Sequence, residues 1–390
     1  MAGYWPSWSS GTLPPENIAW SKYDIVYYAF AVPSSSGSIS IDDTSLLKRF
    51  VTAAHKGNSK AVLSLGGWGQ SKGFSKSVTD DSARSNFIKN VLDVISKYNL
   101  DGVDFDWEYP GNVQGGTNDP KDTGNFQTFL QQLRAKIPTG KLMSAAVPQQ
   151  VWQGSNGNPV GSVARAGGAL DHIVIMNYDV WGSSATPGPN APLGNLCGNS
   201  TQPVASAAGG VKAWTSAGFP RNKILLGVPS YGYLNKSTRK LLKQRSLVEE
   251  EEKEEQHTVK REGDVTLHAD RAQQSSSFTK RAALKSMDGT TDSGQINFNQ
   301  LVSQGVLKLN TQTGTFDAAG GYTKYWDDCS DTPYLANGNT VVTYDDPDSL
   351  YDKADFSRLA GIAGVAMWSI DGDTSTQVLT NSLIAGLKGT

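Results

Sequence analysis

Asp101-Gly102-Val103-Asp104-Phe105-Asp106-Trp107-Glu108-Tyr109-Pro110 is the stretch on which both the fold and the chemistry of this chain turn. Side chains alternate across a strand, so Asp104, Asp106 and Glu108 share one face while Val103, Phe105 and Trp107 share the other. Three carboxylates on one face are costly to bury unless they are paired or protonated. Like charges about 7 Å apart along the strand push at least one pKa upward and keep a proton available. That is what a general acid needs. The alternative is an inward ion-pair network without turnover. Trp107, by its parity, is expected to face packed helices and serve structure.

Working outward, seven more short apolar, β-branched runs alternate with amphipathic stretches: 3–8, 25–30, 60–67, 141–148, 172–179, 223–231 and 362–370. Helices are predicted at 45–56, 81–98, 123–136, 204–217 and 347–359, several opened by Asp, Thr or Pro. The alternation predicts an α/β fold, a (β/α)8 TIM barrel in which the carboxylate face of 102–108 points inward and Glu108 lies at the carboxyl end. The seventh and eighth runs are too far apart for one crossover helix. A small α+β insertion domain is therefore expected at 232–344, between barrel parts 2–231 and 345–390. Strand-like pieces INFNQLV, GTFDAAG, YTKYWD and NTVVTYD fall within it. From 235 to 277 there is no aromatic residue, and the block Glu249 to Glu255 is almost wholly acidic. Such a stretch reads as a solvated helix or disordered excursion.

Composition narrows the partners. A formal net charge of −2 gives no field to attract nucleic acid or anionic lipid, whereas 10 Trp, 14 Tyr and 12 Phe offer flat surfaces suited to sugar rings. No nucleic-acid or membrane partner is expected, and the chain is expected to be a monomer. No apolar run is long enough to span a bilayer and no signal peptide is seen, so Met1 reads as a start added to a mature secreted chain. Asn199-Ser200-Thr201 and Asn235-Lys236-Ser237 are glycosylation acceptor patterns. Cys197 and Cys329 could form one long bridge or remain two inert buried thiols. His55, His172, His257 and His268 fall at no metal-ligand spacing, so neither metal nor cofactor is expected.

The run DGVDFDWE resembles the DxxDxDxE signature of the family 18 glycoside hydrolases, the chitinases and their relatives. It is joined in chain order by Ser64 to Trp68 (SLGGW), Met176 to Asp179 (MNYD) and Trp368 near the carboxyl end. The resemblance covers nearly the whole chain. It implies hydrolysis of chitin or chitooligosaccharides by substrate-assisted, retaining catalysis outside the cell. Glu108 would be the acid, Asp106 the partner of the substrate amide, and Asp104 the residue sharing a proton with Asp106. Ser64 and Tyr4 would support that inner aspartate, Tyr178 would orient the acetamide oxygen, and Trp368 would floor the sugar. Met176 and Asp179 would line the pocket. Phe30, Trp68, Trp181 and Tyr231 follow strand ends and would either contact sugar or pack the rim. The same family contains lectins without turnover and endo-β-N-acetylglucosaminidases acting on N-glycans. The latter usually lack such an insertion.

Overall fold

The computed structural model describes residues 1–112, 119–239, 242, 284–289 and 293–390. The predicted acidic block at 249–255, with His257 and His268, lies outside these described residues. Contacts divide the chain into two compact units. One comprises Met1–Met176, Gly209–Gly227 and Gly361–Asp371; the other comprises Asn177–Ala208, Val228–Ala360 and Gly372–Thr390.

The first unit is built on the eight strands expected from the apolar runs. They are β1 (Ala2–Pro6), β2 (Ile25–Pro33), β3 (Lys60–Gly66), β4 (Gly102–Asp106), β5 (Leu142–Val147), β6 (His172–Met176), β7 (Ile224–Pro229) and β8 (Gly364–Trp368). Neighbours from β1 to β7 pair in parallel, β7 bonds to β8, and β8 pairs with β1, so the sheet closes as a (β/α)8 barrel. The inward positions of several strands meet in one cluster: Ala2, Tyr4, Tyr27, Val62, Val174, Leu225 and Ala366. No long helix follows β1; three short 3-10 turns between Ser7 and Lys22 stand there instead.

Helices Thr44–Lys56, Asp81–Tyr98 and Asp122–Arg134 follow β2, β3 and β4. Asp43 accepts from the backbone N–H groups of Ser45 and Leu46, and Asp80 accepts from that of Ala83. Each cap satisfies donors that the first turn leaves open and contributes about 1 kcal/mol. Thr44–Lys56 buries Leu46, Leu47, Phe50, Val51 and Ala54, and Phe50 stacks on Trp5 of β1 at 5.5 Å. Outward-facing Trp107 is 1% exposed and stacks on Phe74 at 5.3 Å, with Phe126 edge-on at 5.3 Å. Its structural reading by parity matches this packing.

In the second unit five strands form an antiparallel sheet in the order Gly294–Asn297, Tyr231–Lys236, Thr340–Thr343, Thr332–Ala336 and Thr323–Asp327. The piece INFNQLV, read as a strand, stops being one at Asn297. Gln300 reaches back to accept the Asn297 N–H at 3.0 Å, and Phe298–Ser303 continues as a helix. The polar excursion also begins later than expected, because Asn235 and Lys236 belong to the sheet. Asn235 is fully buried, accepts from Ser184 N–H at 2.9 Å, and donates to the carbonyls of Tyr233 and Val341. Its acceptor pattern for glycosylation is therefore spent on the fold. Helices Pro347–Leu359 and Val378–Lys388 pack closely at Gly386, where a Cβ would stand 2.5 Å from the Tyr351 carbonyl.

Cys197 and Cys329 are joined by a disulfide across 132 residues of sequence. Closing a loop of that length restricts the unfolded chain by about 5 kcal/mol in the chain-entropy model. Reducing it, or changing both cysteines to serine, should lower the denaturant midpoint correspondingly. Urea unfolding with and without reductant measures that difference.

Candidate active site

The carboxylate face of β4 points into the barrel. Asp104 is fully buried, and three hydroxyls donate to it: Ser144 to Oδ1 at 2.6 Å, Ser64 to Oδ2 at 2.8 Å and Tyr4 to Oδ2 at 3.2 Å. Strand register explains the convergence, since Ser64 pairs with Asp104 and Asp104 with Ser144 across β3, β4 and β5. A group that only accepts is an ionised carboxylate. Burial nevertheless raises its pKa, opposed by the Ser144, Ser64 and Tyr4 hydrogen bonds. Ser64 and Tyr4 were named from the sequence. Ser144 was missed, although its two-residue offset from Ala146 gives it the inward parity.

Asp106 is 5% exposed, and its Oδ1 has no hydrogen-bond partner. Burial, then the charges of Glu108 and Asp104, push its carboxyl well above the usual carboxylate range. Two adjacent buried carboxyls thus differ in their surroundings: Asp104 accepts from three hydroxyls, whereas Asp106 is pushed upward by burial and by the charges of Glu108 and Asp104. Glu108 lies two residues beyond the strand, which ends at Asp106, and is half-buried. The sequence placed it last on the strand. In the structure, Ser71 holds this extension: its Oγ accepts the Glu108 N–H at 3.1 Å and lies 3.0 Å from the carbonyls of Asp106 and Gly67. Ser71 was not singled out in the sequence, because it lies in a loop with no motif around it.

Non-proline cis peptide bonds occur at Ala29–Phe30, Glu108–Tyr109 and Trp368–Ser369, at three candidate residues. Trp368 is half-buried, stacks on Phe30 at 5.5 Å and meets Tyr4 edge-on at 5.6 Å. Trp8 joins them, 6.4 Å from Trp368 and 61% exposed; the sequence reading had placed it inside a strand and named no role. Trp68 is 67% exposed on the loop after β3, and Met176 ends β6 almost buried.

Tyr178 and Asp179 follow Met176 by two and three residues and belong to the second unit. There Tyr231 and Tyr233 donate to Asp179 Oδ1 at 2.5 and 2.6 Å, while the Tyr178 ring meets that of Tyr231 at 6.2 Å. Burial and then the Asp179 charge hold both phenols far above their ordinary range, so they remain donors. Tyr233 was not anticipated. Trp181 is buried, with Gly188 so close that a Cβ there would lie 2.4 Å from its ring. It packs the rim. Among the described residues no cluster of His, Cys, Asp or Glu could hold a metal ion, and no helix is long and apolar enough to cross a membrane.

A model of the glycosyl hydrolases family 18 matches residues 1–373. The chain belongs to this family. It is similar to a "chitinase-like effector" of Moniliophthora roreri, 34% identical over 397 residues covering 95% of this chain and 88% of the relative. Among solved structures it is similar to a chitinase from Rhizomucor miehei, with a TM-score of 0.78, 30% identity and 99% of each chain covered. The fold is shared with a Cycas revoluta chitinase bound to (GlcNAc)3, with a TM-score of 0.69, 20% identity and 99% coverage of each chain. The expected family and barrel are thereby established.

Two outcomes follow for this family 18 member. Gly66 has φ +105°, and a Cβ there would lie 2.2 Å from the Asp106 carbonyl. Gly66→Ala should cost about 2 kcal/mol or more, read as a lowered thermal midpoint. His172, buried beside Tyr27, has its pKa lowered from 6.5 to about 4 by burial, partly opposed by Asp171. The unfolded chain takes up that proton first as pH falls, so stability is lost between about pH 6.5 and about pH 4. The loss should reach about 3 kcal/mol, and His172→Gln should flatten that part of the stability profile.

Proposed function

We propose that the protein is an active, secreted chitinase that cleaves β-1,4 linkages of N-acetylglucosamine polymers by substrate-assisted retaining catalysis. The observation that carries this reading is the buried carboxyl series: Asp104 accepts from three hydroxyls, while burial and the charges of Glu108 and Asp104 raise the carboxyl of Asp106.

In the proposed reaction Glu108 gives its proton to the bridging oxygen as the bond from that oxygen to C1 breaks. The acetamido carbonyl oxygen of the same sugar bonds to C1, so no protein carboxylate attacks. Asp106 accepts a hydrogen bond from the amide N–H, and the pair's negative charge stabilises the positive oxazolinium ring. Water then adds to C1 as the bond from C1 to the acetamide oxygen breaks, the amide is restored, the water gives a proton to Glu108, and the configuration is retained. Tyr178 donates to the acetamide oxygen and orients it for attack. Trp368, with Phe30 and Trp8 against it, offers an indole face to the sugar, and Asp179, Met176, Tyr231 and Trp68 line further positions. Secretion is supported by the disulfide, which persists in oxidising compartments.

The relative named "chitinase-like effector" favours a second reading, capture of chitin oligomers without turnover. One experiment separates the two. Wild type should release the chromophore from a chitooligosaccharide substrate, and Glu108→Gln should lower kcat by about 10²–10⁴-fold while oligomer binding persists. Binding without release by wild type would establish the second reading. Asp106→Asn and Tyr178→Phe should each reduce kcat more than affinity, and the rate should fall toward alkaline pH as the acid loses its proton. Rates unchanged in both variants would remove their assigned roles.

A further inference from the structure

Two stretches of this chain carry the Asn-X-Ser/Thr pattern that an N-glycosylating transferase reads, Asn199-Ser200-Thr201 and Asn235-Lys236-Ser237, and the fold treats them oppositely. A glycan is attached through Nδ2, so the surroundings of that one atom decide which pattern the folded protein can carry. Asn235 Nδ2 donates to the carbonyls of Tyr233 and Val341 at 2.9 and 3.2 Å, and the residue has no exposed surface. Both of its amide protons are engaged inside the sheet. A chain that received a glycan there would lose one of these bonds and would have to open the strand Tyr231–Lys236 to make room for a bulky, hydrated group.

Asn199 stands in the opposite situation. No residue from 197 to 204 is buried, and Cys197, Gly198, Thr201 and Gln202 are exposed. The Asn199 Oδ1 is turned inward, whereas its Nδ2 is not buried and donates to no described group. The loop is nevertheless ordered. The Cys197–Cys329 disulfide and a bond from the Leu196 N–H to the Cys329 carbonyl at 3.0 Å tie it down before the pattern, and Gln202 Nε2 holds the Val180 carbonyl at 2.9 Å after it. Between them the Ser200 N–H donates to Asn195 Oδ1 at 3.1 Å, and the Gln202 N–H donates to Ser200 Oγ at 3.0 Å. The two side chains that the transferase reads, Asn199 and Thr201, take part in none of these bonds. The loop therefore keeps its shape when Nδ2 is occupied.

We propose that Asn199 is the N-glycosylation site of the folded protein and that Asn235 is not one. The inference rests on the secretion part of the function proposed above, because the transferase and its donor face the lumen of the secretory pathway. In the transfer, Asn199 Nδ2 bonds to C1 of the first sugar of a lipid-linked oligosaccharide diphosphate. The bond from C1 to the diphosphate oxygen breaks, the lipid diphosphate leaves with the bonding pair, and one Nδ2 proton passes to a base of the transferase. The transferase acts before folding is complete, when both patterns are open to it, so the choice between them is made at folding. A chain modified at Asn199 can still close the Cys197–Cys329 bridge. A chain modified at Asn235 cannot complete the antiparallel sheet and is not exported.

The test directs the full chain, behind a cleavable leader, through the secretory pathway of a eukaryotic host. Folded protein from the medium is treated with a peptide-N-glycosidase in heavy-oxygen water, which marks each formerly glycosylated Asn as a labelled Asp, and its peptides are read by mass spectrometry. Asn199 should carry the label in most molecules and Asn235 in none. Asn199→Gln and Thr201→Ala should each remove the mass of one glycan, and Thr201→Ser should keep it. Chain retained inside the cell is read in the same way, so a protein that is not exported still reports on Asn199. An unlabelled Asn199 in exported protein, or in retained chain where none is exported, would overturn the proposal. Label at Asn235 in folded, exported protein would do the same. The added leader supplies entry to the pathway, so native protein confined to the cytosol of its source would sink the secretion reading while the leader-directed chain still decides the acceptor site.

Discussion

Asp104 sits with no exposed surface in the middle of a closed barrel, and the site is organised around the cost of keeping a charge there. An unpaired buried carboxylate would be neutralised by its own pKa shift. Three hydroxyls from β1, β3 and β5 oppose that by donating to it, while burial, then the charges of Glu108 and Asp104, raise Asp106. The hydrogen bonding of the acid series thus follows from where β1, β3, β4 and β5 place their inward residues.

The second constraint is backbone shape at the strand ends. Gly67 N–H bonds to the Asp106 carbonyl at 2.8 Å, an approach open because Gly66 carries no Cβ, and both Gly66 and Gly67 adopt positive φ. Ser71 then links the loop after β3 to the extension after β4, so Glu108 is aimed by two loops rather than by its own strand. Half-buried carboxyl, ordered backbone and an aromatic group of Trp8, Phe30 and Trp368 belong to one compact unit. Tyr178, Asp179, Tyr231 and Tyr233 form a second polar and aromatic group, in which two phenols share one carboxylate oxygen.

Outside the barrel strands the sequence was read with mixed success, for identifiable reasons. Asn235 begins a stretch that is polar and lacks aromatics, so composition assigned it to an excursion; three hydrogen bonds inside a sheet absorb it instead. INFNQLV alternates like a strand, yet from its third residue onward it is a helix because Gln300 can reach the Asn297 backbone. Short pieces of this kind fit both periods, and a local cap decides between them.

The sequence by itself determined the eight strands, the inward parity of Asp104, Asp106 and Glu108, the outward parity of Trp107, and through its motifs the family. These follow from alternation and apolar runs, which are properties of neighbouring residues. Tertiary structure decided what no local pattern contains: that Ser144 joins Ser64 beside Asp104, that Ser71 fixes the Glu108 backbone, that Trp8 joins Trp368, and that Cys197 meets Cys329. It also decided the pairing of Tyr27 with His172, two residues separated by 145 positions. Their chemistry depends on distance through space, and only barrel closure and strand register set that distance.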